Sequence, residues 1–177
     1  MMIGFFYSQT HGLFLPVLPD PSSARGGVTG KSIIDIYDHY DTLGIWEDIR
    51  EKVGDEKVFF IIHNAKTHLP LRRWLRGQVI ALLEIPAYGQ DLNPIENVWS
   101  LRKHKLHKSY PELYLRKSPF DMVKKAIEKA ITNCWELFDT KVFDTLAGSM
   151  VHRVKAINKA DGWYTKYYFL LYIYVFF

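Results

Sequence analysis

Three features of the sequence predict an α/β fold. Short apolar runs bounded by Gly, Pro and Asn occupy the N-terminal half, where they alternate with segments whose apolar residues recur at helical spacing. The C-terminal third reads as helical throughout. Length and composition suit one globular domain: 177 residues, 48% of them hydrophobic and 24% charged, can fill a core and keep a polar surface. The formal net charge of +4 admits a polyanionic partner without requiring one.

In order along the chain, Met1 to Ser8 and Leu13 to Leu18 read as two strands joined through Thr10, His11 and Gly12 as a hairpin-like turn. Pro19 to Gly27, rich in Pro, Ser and Gly, reads as a loop. Thr29 is then placed to cap a helix carrying Ile33, Ile34, Tyr37 and Tyr40 at helical spacing. Lys57 to Ile62 reads as a buried strand. Leu71, Trp74 and Leu75 mark a short amphipathic helix ending near Gly77, and the apolar run Val79 to Leu83 reads as a further buried strand. Ser118, Pro119, Phe120 and Asp121 open a helix whose stripe of Val123, Ala126, Ile127, Ala130, Ile131 and Cys134 is a core-packing face. Phe138 to Met150 and Val151 to Lys159 suggest two more helices, the second carrying Arg153 and Lys155 outward.

Cys134 is the only cysteine, which excludes an internal disulfide or a cysteine-rich metal site and leads us to expect a reducing, intracellular compartment. The N-terminus lacks the charged and apolar regions of a secretory signal. Tyr167 to Phe177 is aromatic and uncharged, about half the ~20 residues that a membrane-spanning helix needs. Its composition is that of an aggregation-prone strand, and no membrane partner is expected.

The chemistry concentrates between Ile85 and Trp99, IPAYGQDLNPIENVW. Its Gly, Gln, Asp and Asn form a loop, after which Asn93 reads as an N-cap, Pro94 as the first helical residue and Glu96 as the third. Two readings of Glu96 stand side by side. In one it completes a capping box by bonding back to the Asn93 amide. In the other it aims a carboxylate from the first helical turn, as a metal ligand requires. Asp91 reads as a local residue, its side chain folding onto following amides to shape the turn.

Taken together, Pro86 to Trp99 resembles the signature around the third acidic residue of mariner-type DDE transposases, the Tc/mariner superfamily. Phe59 to His68 resembles the strand and turn bearing that family's second aspartate. Ser149 to Val154 and Gly162 to Tyr167 resemble its C-terminal end, and Met1 to Gly12 the strand just after its first aspartate. The resemblance covers residues 1–167 and leaves 168–177 as an aromatic C-terminal extension. It implies a ribonuclease-H-like (integrase-type) α/β catalytic domain in which three carboxylates hold two divalent ions, Mg²⁺ or Mn²⁺, about 3.5 to 4 Å apart to clamp a phosphodiester. It also implies a nuclear enzyme of DNA transposition and integration.

The chain departs from that pattern at the metal site. His63 stands where the family carries its second aspartate, and a neutral imidazole brings no negative charge and favours softer metals. No residue matches the first aspartate, whose strand would lie upstream of Met1. The expected fold therefore lacks its first, central strand and exposes strand edges, which favours marginal stability or self-association. Asp20, Asp35, Asp38 and Asp41 follow no apolar strand that resembles the missing one. His63 and Glu96 alone are too few ligands for two ions, and His104 with His107 is too few for zinc.

After the signature comes a basic run, Arg102, Lys103, His104, Lys105, His107 and Lys108. It reads either as a solvated helix face or as a track for DNA phosphates, with Lys66, Arg72, Arg73 and Arg76 adding charge. Arg153 and Lys155 face solvent or DNA in the same reading. Nothing matches the helix-turn-helix units that grip transposon ends, so weak, backbone-directed DNA binding is the expectation. The sequence thus predicts a degenerate transposase domain without catalysis of its own. The alternative is a DNA-binding or assembly module that pairs with intact transposase subunits.

Overall fold

The computed structural model describes residues 2–7, 10–62, 65–86, 89–115, 117 and 119–167. The extension at 168–177 lies outside them. The elements run β1 (Met2–Tyr7), β2 (Thr10–Pro16), α1 (Gly30–His39), α2 (Thr42–Val53), β3 (Phe60–Ile62), α3 (Leu69–Gly77), β4 (Leu82–Glu84), α4 (Ile95–Ser109), α5 (Phe120–Glu136), α6 (Thr140–Gly148) and α7 (Met150–Lys159). The α/β class is as expected. The strands form two separate two-stranded sheets, β1 with β2 and β3 with β4. The chain divides into two compact units, one of residues 1–3 and 16–89, the other of residues 4–15 and 90–177.

In the first unit, α1 begins as the sequence predicts. Thr29 accepts the Ser32 amide, and Ser32 Oγ accepts the Thr29 amide at 3.0 Å, a reciprocal cap. The loop before it is organised by Asp20, whose carboxylate accepts from Ser22 Oγ at 2.6 Å, Ser22 N at 2.9 Å and Thr29 Oγ1 at 2.6 Å. These bonds, those from Ser22 first, hold its pKa down to about 2. Ile33 and Tyr37 on α1 are buried, as are Leu71 and Leu75 on α3. Gly30 permits the close approach of the two helices, since a Cβ there would sit 2.8 Å from Pro70 Cβ.

Helix α2 was not legible as a separate element. Asp41 starts it from a left-handed conformation (φ 49°), with its side chain accepting the Gly44 amide at 3.2 Å.

The strands of this unit are shorter than the apolar runs suggest. β3 and β4 pair in parallel over three residues, Phe60 opposite Leu82 and Ile62 opposite Glu84, with α3 as the crossover. Lys57 to Phe59 lie outside the strand, and Phe59 is half exposed. The expected buried strand from Val79 is corrected likewise. Ile80 N donates to Leu75 O at 3.1 Å and Val79 N to Arg76 O at 3.0 Å, a Schellman ending of α3 that consumes both residues. Val79 takes the left-handed position (φ 60°) and is 89% exposed.

In the second unit, Thr10, His11 and Gly12 belong to β2 rather than to a turn. Gly12 lets β2 lie against β1, because a Cβ there would be 2.5 Å from the Phe5 carbonyl oxygen. The core is aromatic. Phe14 stacks on Trp135 with ring centroids 4.8 Å apart, Trp135 meets Phe143 at 5.4 Å, and Phe6 meets Phe143 at 5.1 Å. Ala130 and Cys134 of the α5 stripe are buried, and burial pushes the Cys134 thiol pKa up. The helices expected at 138–150 and 151–159 are present as α6 and α7.

Candidate functional site

The signature residues enter α4 through a 3₁₀ turn, Gln90–Leu92. That turn changes the expected cap. The Asn93 amide donates to Gln90 O at 2.9 Å, Pro94 sits at the cap position in helical conformation, and no side chain caps the helix. An extended residue is needed to present a capping oxygen, and the continuous helical path removes it. The capping-box reading of Glu96 is thereby corrected. Glu96 is half-buried in the first turn of α4, at the positive end of the helix dipole.

What holds this turn is Arg153, which the sequence placed facing outward. It is 1% exposed. Its Nε donates to Ser149 Oγ, its Nη1 to the Asp91 carbonyl oxygen and its Nη2 to Asn97 Oδ1, each at 2.7 Å, while its guanidinium lies 4.6 Å from the Tyr167 ring centroid. Burial draws its pKa down, with Tyr167 and Asp91 opposing the shift. Asn97 is the residue next to Glu96, so α7 fixes the start of α4 directly. Lys155, by contrast, is exposed as expected.

Asp91 is likewise corrected from a local to a long-range role. It is 5% exposed, and its Oδ2 accepts the Thr165 amide at 3.0 Å and the Thr165 hydroxyl. Tyr167 N donates to Thr165 Oγ1 at 3.1 Å, which completes a polar network joining the signature turn, α7 and the segment after it.

The basic run on α4 divides by face. Arg102 and Lys105, one turn apart, pack inward: the Arg102 guanidinium lies 4.4 Å from the Phe14 ring and 4.5 Å from the Trp99 ring. Desolvation draws its pKa down to about 10, and its Nη1 is buried with no hydrogen-bond partner among the described residues. Lys105 Nζ donates to Leu137 O at 2.6 Å over the Phe138 ring. Lys103, His104 and Lys108 are exposed. In the first unit Lys66 and Arg73 are exposed and Arg76 pairs with Glu84, while Arg72 is 8% exposed and so presents little charge at the surface.

Comparison with known proteins decides the kinship. The chain is 32% identical over 118 residues to the Tc1 transposase of Caenorhabditis elegans, covering 66% of this chain and 40% of that protein. It is 31% identical over 147 residues to the Tcb1 transposase of Caenorhabditis briggsae, covering 77% and 49%. This chain is a Tc1/mariner-type transposase relative. The Tcb2 transposase of the same nematode is 28% identical over 141 residues, covering 77% of this chain and 47% of that transposase. The chain spans less than half the length of the curated transposases it matches. No family model and no solved structure matches it.

His63, expected at the metal site, lies outside the described residues. Among the described residues no three His, Cys, Asp or Glu side chains gather to hold an ion. Those residues do not by themselves make a two-ion site. Also among the described residues, no helix is long and apolar enough to cross a membrane.

Ser149, Asn97 and Thr165 entered no sequence-based site. The four-residue spacing of Ser149 and Arg153 was the one available hint, and it is weak because arginine is ordinarily a surface residue.

Proposed function

We propose that this chain is a ribonuclease-H-like DDE transposase domain that binds DNA through its backbone phosphates and does not cut it. The single observation carrying the transposition-related reading is the likeness to the Tc1 and Tcb1 transposases over two thirds or more of this chain. The parallel β3–α3–β4 unit is compatible with such a domain. The non-catalytic part rests on His63 at the position of the family's second aspartate. A hard divalent cation such as Mg²⁺ or Mn²⁺ needs oxygen ligands that also neutralise its charge, and Glu96 would be the surviving one. A nuclear location follows from the DNA substrate in this reading.

The test is calorimetric titration of Mg²⁺ and Mn²⁺ into the protein and into the His63→Asp variant. The expected result is no specific binding by the unaltered chain, with or without binding by the variant. Specific binding by the unaltered chain that Glu96→Gln abolishes would overturn the non-catalytic reading.

A second reading, an assembly module for intact transposase subunits, draws on the exposed Lys103, His104 and Lys108 of α4, whose first turn Arg153 holds through Asn97. Co-elution with an intact transposase in size-exclusion chromatography would favour it.

A further inference from the structure

A groove of about 430 Å³ opens beside α7, lined by His152, Lys155, Ala156, Lys159, Lys166 and Tyr167. Among the described residues no carboxylate lines it. Lys155 and Lys159 are one turn apart on the same face of α7, and Lys166 reaches the groove from the segment beyond the helix. All three lysines are exposed, and none is in a salt bridge among the described residues. Like charges at this helical spacing repel. Among the described residues no ion pair offsets that repulsion, and an anion would.

One wall of the groove is held in place. Its Tyr167 wall rests on the buried Arg153 guanidinium, and the Tyr167 amide is bonded to Thr165, which the Asp91 carboxylate holds in turn. Lys166 Nζ sits 5.2 Å from the Tyr167 ring centroid. Two cations thus lie against the ring, and although the lining surface is mostly apolar, its charge comes from the ammonium groups. Ammonium groups suit the phosphate oxygens of a nucleic-acid backbone and read no sequence.

We infer that this groove is a contact site for consecutive backbone phosphates of DNA, with Lys155, Lys159 and Lys166 as its ligands, separate from the basic face of α4. The inference rests on the DNA-binding reading above and adds a place to it. Each lysine that neutralises a phosphate releases counterions and steepens the salt dependence of binding by about 0.9 in log Kd against log salt.

The experiment is fluorescence anisotropy with a labelled random-sequence DNA duplex at several salt concentrations. Three full-length proteins are compared: the unaltered chain, a groove variant (Lys155→Gln, Lys159→Gln, Lys166→Gln), and a control of equal charge on α5 (Lys124→Gln, Lys125→Gln, Lys129→Gln). All six lysines are exposed, so neither variant disturbs the core, which circular dichroism checks. The expected result is a salt slope shallower by about two to three in the groove variant and by less than about one in the control. Equal slopes in the unaltered chain and the groove variant, or equal losses in both variants, would overturn the groove while leaving DNA binding in place. No DNA binding by the unaltered chain would overturn the DNA-binding reading and the groove with it.

Discussion

The signature turn and the β3–β4 pair are held in opposite ways. The turn from Gln90 to Asn97 is fixed by polar atoms that are nearly all satisfied: the three donor nitrogens of Arg153 meet three acceptors at 2.7 Å, and Asp91 is occupied by Thr165. The β3–β4 pair has three residues per strand and leaves Phe59, Val79 and Leu83 between 41% and 89% exposed around it. Parallel strands ordinarily depend on neighbours and on cover over both faces, and a two-stranded sheet alone is marginal. A motif in the sequence is thus no guide to how firmly a region is bonded. The buried polar network is the better guide.

The largest expected effect comes from breaking the rigid side of that contrast. Arg153→Met leaves the buried Asp91 carbonyl and the half-buried Asn97 Oδ1 and Ser149 Oγ without their donor, and should cost about 3 kcal/mol. The check is the shift in urea midpoint. A loss below about 1 kcal/mol would mean that the network is replaceable by water.

A smaller loss, about 1 to 2 kcal/mol, is expected for Asp91→Asn, which weakens a charge-assisted acceptor but keeps the shape. A double-mutant cycle with Thr165→Val sharpens this. The two losses should be strongly non-additive if Asp91 acts through Thr165.

On the marginal side the sign reverses. Val79→Gly should stabilise by about 1 kcal/mol, because a β-branched residue occupies the left-handed position that ends α3 and glycine removes the steric cost. Thermal melts would show a raised midpoint, whereas a lowered one would mean that the exposed Val79 side chain has packing value after all.

The smallest effect concerns acid. The Asp20 pKa is depressed from about 3.9 in the unfolded chain to about 2 in the fold. A depressed carboxylate contributes stability that is fully present above the unfolded value and is lost as pH falls through the folded one. Asp20→Asn should therefore flatten the decline in stability between about pH 4 and pH 2. Stability measured at two or three pH values in that window tests it.

Much of this was legible in the sequence, and the failures have physical causes. Thr29, Leu71 and Leu75, the α5 stripe and both C-terminal helices follow from caps and periodicity, which are local. Val79 to Leu83 misled because an apolar run cannot reveal that its first residue closes the preceding helix. Arg153 and Asp91 misled because their partners lie 56 to 74 residues away in the chain, beyond any local pattern. Arg102 illustrates the same limit: among basic neighbours it reads as surface charge, yet it lies against Phe14 and Trp99.

In the reading proposed above, this transposase relative holds Glu96 in the first turn of α4 but does not cut DNA. Nicking of supercoiled plasmid in Mg²⁺ and in Mn²⁺, by the unaltered chain and by Glu96→Gln, tests it most directly. The account predicts no nicking above background from either protein. Metal-dependent nicking by the unaltered chain that Glu96→Gln abolishes would contradict it.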